Sequence, residues 1–277
     1  MSKFNLIIAI LALNACAFSA NAQEYVQDED ISSLYASTKQ VNQFIRRFNG
    51  EEDLRGKRLY PKDKKYRSTK LRKRYFQGLF DNQNHSINSS LKSKFFNDIT
   101  KPENPSVYDF YGKDWFAEVN AKFMYLGKIE DIILYFRIEK ETGGYKWSLI
   151  NAYFHKFDKM FYQNPPTDYK FIHPMSHELE FMNLRKTFKH YKQMEYYTEK
   201  SFSPDYLSLF LYELKKGKFK FQSVSDVKFH VFQINDWYFE MKNFNRKGDN
   251  SGWLISNLIN IPEKEKKSLI KLINRNK

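Results

Sequence analysis

Apolar positions recur at helical spacing through the first hundred or so residues and alternate with polar ones from Trp115 onward. In 31–49, Leu34, Val41, Phe44, Ile45 and Phe48 fall on one helical face, which predicts a long helix opening at Ser32 or Ser33 and stopping at Gly50. Leu71, Tyr75 and Leu79 predict a second helix over 67–79, and a third is expected over 91–97. Ala117, Val119, Ala121 and Phe123 then alternate with polar neighbours, and Gly127-Lys128 supplies a turn. The run 132–138 is rich in strand formers, and 141–144 turns the chain into a further strand over 145–153. Helices followed by an antiparallel meander argue for an α+β layer.

The order then begins again. Pro165-Pro166 marks 154–168 as a linker, because neither residue suits a helix interior or a central strand. His173-Pro174 opens a predicted helix bearing Leu179, Met182, Leu184 and Phe188. Another begins with Ser203 as its cap and Pro204 in its first turn, and ends near Gly217. Strands are expected over 219–223, 227–234, 237–244 and 252–261, and a final lysine-rich helix over 262–276.

An internal echo accompanies this repetition. Trp147-Ser-Leu-Ile-Asn151 and Trp253-Leu-Ile-Ser-Asn257 each close an alternating run after a glycine-containing turn. The same shift of 106 residues superimposes Lys122-Phe123 on Lys228-Phe229 and Glu130 on Asp236. One supersecondary unit used twice is the expectation, with Trp147 and Trp253 as equivalent core residues.

Residues 1–22 belong to neither unit. Lys3, the apolar stretch 4–13 and Ala20-Asn21-Ala22 read as a secretory signal peptide cleaved before Gln23, followed by a loose acidic segment over 23–30. Cys16, the only cysteine, lies inside that signal, so a mature chain would carry no disulfide, thiolate nucleophile or cysteine-held metal. A lipid anchor through Cys16 is the alternative, although Asn14 fits an attachment box poorly. No later run reaches the roughly 20 apolar residues that cross a bilayer. The formal charge of +14 becomes +13 without Lys3, and such a field favours anionic surroundings.

A helix ending in Phe44-Ile-Arg-Arg-Phe-Asn-Gly50, a basic middle segment with Tyr60-Pro61-Lys62 and Arg72-Lys73, and a meander ending Gly143-Gly-Tyr-Lys-Trp147 resemble exported bacterial proteins of the nuclear transport factor two-like (cystatin-like) superfamily. Trp237-Tyr-Phe-Glu-Met-Lys-Asn-Phe-Asn245 with Ser251-Gly-Trp-Leu-Ile-Ser256 looks like a second such unit. The resemblance implies two tandem cones, each made of helices on a strongly curved antiparallel sheet, over 31–155 and 173–262. They would be joined by a linker over 156–172 and followed by a basic helix over 263–277. The superfamily hosts isomerases, dehydratases, secretion components and non-catalytic modules, so the fold leaves function open. Catalytic members use an Asp, His or Tyr inside the cone, and no residue here matches such a position.

The most concentrated chemistry is the segment 55–74, with eleven basic residues, the single acid Asp63, and Tyr60, Tyr66 and Tyr75 within or beside it. Arg67, Lys70, Arg72, Lys73 and Arg74 are its candidate contacts to an anionic surface. Export and the lack of a nucleic-acid signature argue against nucleic acid. His173 and His177 with Glu178 have the spacing of two metal ligands on one helix face but lack a third, and capping explains them better. His85, His155, His190 and His230 show no triad spacing. Among Glu118, Glu130, Asp131 and Glu240, one facing a cone interior would have a raised pKa and could act as a general base. The resulting expectation is an exported, periplasmic binding or interaction protein without cofactor, metal or catalytic residues. Its partner would be an unidentified protein or small molecule. The alternatives are an isomerase- or dehydratase-like enzyme and an envelope module using the basic segment.

Overall fold

The computed structural model describes residues 40–160, 188–189, 191, 194, 197–199, 201–248 and 250–275. The chain runs through helix α1 (Val41–Asn49), α2 (Thr69–Phe76) with a 3-10 turn (Gln77–Leu79), and α3 (Ser89–Ile99) into strands β1 (Trp115–Tyr125), β2 (Lys128–Glu141) and β3 (Gly144–Tyr153). A short helix α4 (His155–Asp158) and helix α5 (Tyr206–Lys215) precede β4 (Phe219–Val231), β5 (Trp237–Phe244) and β6 (Gly252–Asn260). Helix α6 (Glu263–Ile273) follows. The architecture is α+β. The predicted signal peptide, the acidic segment, the opening of the first helix, most of the linker, and most of the helix after His173 lie outside the described residues.

Local chemistry sets the element ends. Gly50 closes α1 with φ 73°, where its amide bonds back to the α1 carbonyls. Ser68, Asn88 and Asp205 each cap a helix through a side-chain oxygen that accepts an amide hydrogen. The cap of α5 is therefore Asp205, two residues later than expected, and Pro204 precedes the helix rather than opening it. Leu126 and Gly127 both have positive φ, the backbone of a tight two-residue hairpin turn between β1 and β2.

All six strands belong to one antiparallel sheet in the order β3-β2-β1-β4-β5-β6. The two meanders meet at β1 and β4, which pair from Trp115–Val231 to Tyr125–Phe219. The expectation of two cones, one on either side of 156–172, thus meets a sheet that is continuous across both meanders.

The helices explain why. Trp115, Phe239, Met241 and Ile255 on one sheet face receive Phe44, Phe48, Phe80 and Phe95 from α1, α3 and the turn after α2. Phe48 lies 5.8 Å from Phe239 and Phe95 4.9 Å from Trp237. Trp237 Nε1 donates to Asp98 at 3.1 Å, and Phe80 bridges Ile255 at the β6 edge. The N-terminal helices therefore rest chiefly on the second meander. Conversely, Tyr206 and Phe210 of α5 pack with Phe123, Ile132, Leu134 and Ala152 of the first. Each meander is covered by helices that precede the other one, and neither half contains its own core.

The opposite face is covered by α6, with Leu269, Ile270 and Ile273 against Phe116, Tyr135, Phe232 and Tyr238. Lys266 anchors the helix, its buried ammonium donating to the carbonyls of Phe232 and Ile234 at 2.9 and 2.6 Å and pairing with Glu263.

The sequence echo has a structural counterpart in the outer hairpins. In β2–β3, Tyr135 faces Asn151 and Phe136 faces Leu149, so Ile150 is the extra residue of a bulge. In β5–β6, Glu240 faces Asn257 and Met241 faces Ile255, so Ser256 is the extra residue. Each bulge shifts the alternation by one and returns Ala152 and Leu258 to the face that α1, α3 and α5 cover. The echo does not continue inward in register, because β1 reaches β2 through two residues and β4 reaches β5 through 232–236.

Trp147 and Trp253 sit at matching positions three residues before the bulges of β3 and β6, and both lie nearly parallel to Phe229 of β4, at 6.4 and 4.6 Å. Strands β3 and β4 are three places apart, about 14 Å in a flat sheet, so the sheet curls toward this face. The expectation that both indoles are core residues is corrected: Trp253 is half-buried, but Trp147 is 44% exposed. On the outermost strand it covers Trp115 from one side only, at 5.5 Å.

Candidate binding site

Two neighbouring carboxylates fasten the start of this region, Glu52 to α1 and Glu51 to the basic segment. Glu52, 0% exposed, accepts from Arg46 Nε at 3.2 Å and Arg47 Nε at 2.8 Å, with Gln43 Nε2 at 3.3 Å. Glu51 takes the Arg67 guanidinium at 2.6 Å and the Tyr66 hydroxyl at 3.2 Å. The Arg67 amide returns to the Gly50 carbonyl, and buried Leu59 bonds to the Glu51 carbonyl. Tyr75 on α2 donates to the Asp53 carbonyl.

Arg72 fastens α2 to this frame. It is only 3% exposed, and its guanidinium donates to the carbonyls of Phe48 at 3.0 Å, Ile99 at 2.9 Å and Ser106 at 3.0 Å. Two of these lie in the last turns of α1 and α3, where carbonyls lack helical partners and the helix dipole favours a cation. Burial lowers the Arg72 pKa to about 10, and the group stays charged at neutral pH. Gly50 belongs to the same joint, since a Cβ there would sit 2.8 Å from Arg72 Cγ. Arg72, expected to contact an anionic surface, is therefore an internal rivet.

The remaining cations are arranged differently. Between the loop at 53–55 and the first turns of α2 lies a cleft of about 570 Å³, lined by Asp53, Leu54, Arg55, Lys65, Ser68, Lys70, Leu71 and Arg74. Lys70 and Arg74, four apart, share the cleft face of α2, and Lys73 is exposed outside it. Arg55, Lys65, Lys70 and Arg74 make no ion pair among the described residues. The one acid, Asp53, already accepts the amides of Arg55 and Lys57, each at 2.9 Å, and the Lys57 amide leads in lowering its pKa. The structure thus brings Lys70 and Arg74 together with Arg55 and Lys65, which were not among the expected contacts. It removes Arg67 to Glu51 and Arg72 to the interior.

A second polar constellation lies on the α6 face of the sheet. Glu118 receives His230 Nε2 and Lys228 Nζ, each at 3.1 Å, and His230 Nδ1 meets the Tyr238 hydroxyl at 2.9 Å. Burial pushes the Glu118 pKa up, but these hydrogen bonds and charges outweigh it and hold the group at about 2. The expectation of a raised, base-like carboxylate is therefore not met at Glu118, which is ionised with both oxygens engaged. Burial drives the Tyr238 phenol far above its usual range. Glu240 accepts from Ser256 at 2.7 Å and pairs with Lys242, Glu130 pairs with Lys156, and Asp131 with Lys122. Glu118 and His230 are 112 residues apart in sequence, and only the β1–β4 register, with Phe116 opposite His230, brings them together.

A further cleft of about 440 Å³ lies beside α6 and is lined by Tyr153, Asp158, Tyr206, Ser268, Lys271, Leu272 and Arg275. Tyr153 and Tyr206 donate to the two oxygens of Asp158, and Arg275 lies over the Tyr153 ring. His173, His177, Glu178 and His190 lie outside the described residues. No helix among the described residues is long and apolar enough to cross a membrane. No family model, curated protein or solved structure matches the chain.

Proposed function

We propose that this is a binding protein without catalytic chemistry, exported through residues 1–22, which captures an anionic group in the cleft between the loop at 53–55 and α2. One observation carries the reading: Arg55, Lys65, Lys70 and Arg74 converge on a single cleft with no carboxylate pairing among the described residues. Holding four cations together costs Coulomb energy, and an anion in the cleft repays it. A volume of about 570 Å³ lies within the range of small-molecule sites. The buried Glu118–His230–Tyr238 chain serves the sheet, since its polar atoms satisfy one another.

Calorimetry with inorganic pyrophosphate at low ionic strength tests the proposal. The wild-type chain is expected to bind, and to release as salt rises. Lys70→Ala/Arg74→Ala should lose at least tenfold in affinity. No binding by the wild type, or unchanged binding by the double variant, would overturn the reading.

A further inference from the structure

The cleft opens beside a loop whose other side chains have chemistry of their own. Between 53 and 67 the chain carries seven basic residues and two acids, and only Arg67 among the seven makes an ion pair within the described residues. Leu59 is the loop's one buried apolar anchor. Leu54, at the cleft wall, and Tyr60 are each 57% exposed. Tyr60 is held in place by its amide, which donates to Asp63 Oδ2 at 2.7 Å, and by the Arg58 guanidinium, 5.2 Å from its ring. The surrounding residues Arg55, Lys57, Arg58, Lys62, Lys64 and Lys65 are all exposed.

We propose that this loop docks the protein on an anionic lipid surface, with a lipid phosphate in the cleft, Leu54 and Tyr60 entering the headgroup layer, and the flanking cations lying against neighbouring headgroups. The inference rests on the cleft reading and names its ligand. A small soluble anion would satisfy the cleft and leave Leu54 and Tyr60 in water, whereas a bilayer interface accepts an aliphatic tip and an amphipathic ring at headgroup depth. The charges fit as well. A leaflet of acidic lipids attracts surface Lys and Arg by about 1 kcal/mol each, roughly a fivefold gain per residue, so six unpaired cations on one loop form a polybasic site of effective size. The frame beneath the loop, with Glu52 between two arginines and Arg72 on three carbonyls, keeps the site preorganised.

The test is flotation of the full chain with vesicles of phosphatidylcholine alone or with one third phosphatidylglycerol. Variants Tyr60→Ser/Lys62→Ser/Lys64→Ser and Lys70→Ala/Arg74→Ala are compared with the wild type, and pyrophosphate calorimetry runs alongside. The N-terminal apolar stretch is common to every protein, so the readout is the increment that phosphatidylglycerol adds. The wild type should show a large, salt-sensitive increment. The triple variant should lose it by a factor of about ten or more while binding pyrophosphate normally, because none of its three residues lines the cleft. The double variant should lose both. An unchanged increment in the triple variant, or pyrophosphate binding by a wild type that ignores phosphatidylglycerol, would overturn lipid docking and leave the cleft reading standing. Failure of the wild type in both assays would overturn both.

Discussion

Ile150 and Ser256 hold the same place in two hairpins: each is the extra residue of a bulge, preceded three positions earlier by a tryptophan and followed by an asparagine. The side chains then go different ways. Ile150 packs toward α6, and Ser256 bonds to the carbonyl and carboxylate of Glu240. A shared backbone device carries a different residue in each copy.

The two tryptophans should therefore differ in what they contribute to stability. Trp253→Ala removes a half-buried ring stacked on Phe229 and is expected to cost about 3 kcal/mol. Trp147→Ala removes a ring with one side in water and should cost about 1 kcal/mol. Urea unfolding of the two variants measures the difference, and equal losses would contradict the unequal burial.

Arg72→Ala should destabilise the fold by about 3 kcal/mol or more, since it leaves three carbonyls without their charged donor. Arg72→Lys should recover only part of this, because an ammonium lacks the planar fork that reaches carbonyls from three separate segments. Arg67→Ala, which removes a half-exposed partner of Glu51, should cost less than 1 kcal/mol. Thermal unfolding of the three proteins should rank them in that order.

Glu118 should leave its mark on the acid limb of stability. Its carboxyl lies near 4.5 when unfolded and near 2 when folded, so its contribution is complete above pH 4.5 and disappears as pH falls toward 2. The shift corresponds to about 3 kcal/mol at neutral pH. Glu118→Gln should be less stable at pH 7 and lose less between pH 4.5 and 2. A variant whose acid limb matches the wild type would remove Glu118 from the account.

Position on α2 should matter more than charge. Lys73→Ala and Lys70→Ala delete the same charge from the same helix, yet only Lys70 lines the cleft. Pyrophosphate affinity should fall severalfold for Lys70→Ala and stay within twofold for Lys73→Ala. Parallel losses would mean that the ligand senses only the overall field.

The element sequence was legible because each signal is local. Gly50 stops α1, the four-residue spacing of Leu71, Tyr75 and Leu79 marks α2, and alternation from Trp115 marks β1, all from neighbouring residues. What local pattern does not encode is which helix covers which strand. A repeat of helices before strands suggested self-contained units, but Phe48 finds Phe239 and Phe210 finds Phe123, pairings set by long-range packing. The candidate site was half legible. The density of cations over 55–74 located it, and Lys70 and Arg74 were among the contacts it named, whereas Arg55 and Lys65 join them only through the fold. The inward turn of Arg72 was hidden, because a guanidinium that serves carbonyls has the same sequence signature as one that faces water.

The crossed arrangement of helices and meanders also has a consequence for a chain made from its N-terminus. When β3 is complete, α1 to α3 still lack most of the strands they cover, because Phe239, Met241 and Ile255 follow its last residue, Tyr153, only in β5 and β6. The exposed rings of Phe44, Phe48, Phe80 and Phe95 must stay out of wrong contacts until then, and final closure joins segments almost two hundred residues apart. Neither half of such a chain can complete its core until β5 and β6 have emerged, so the two halves become structured late and together.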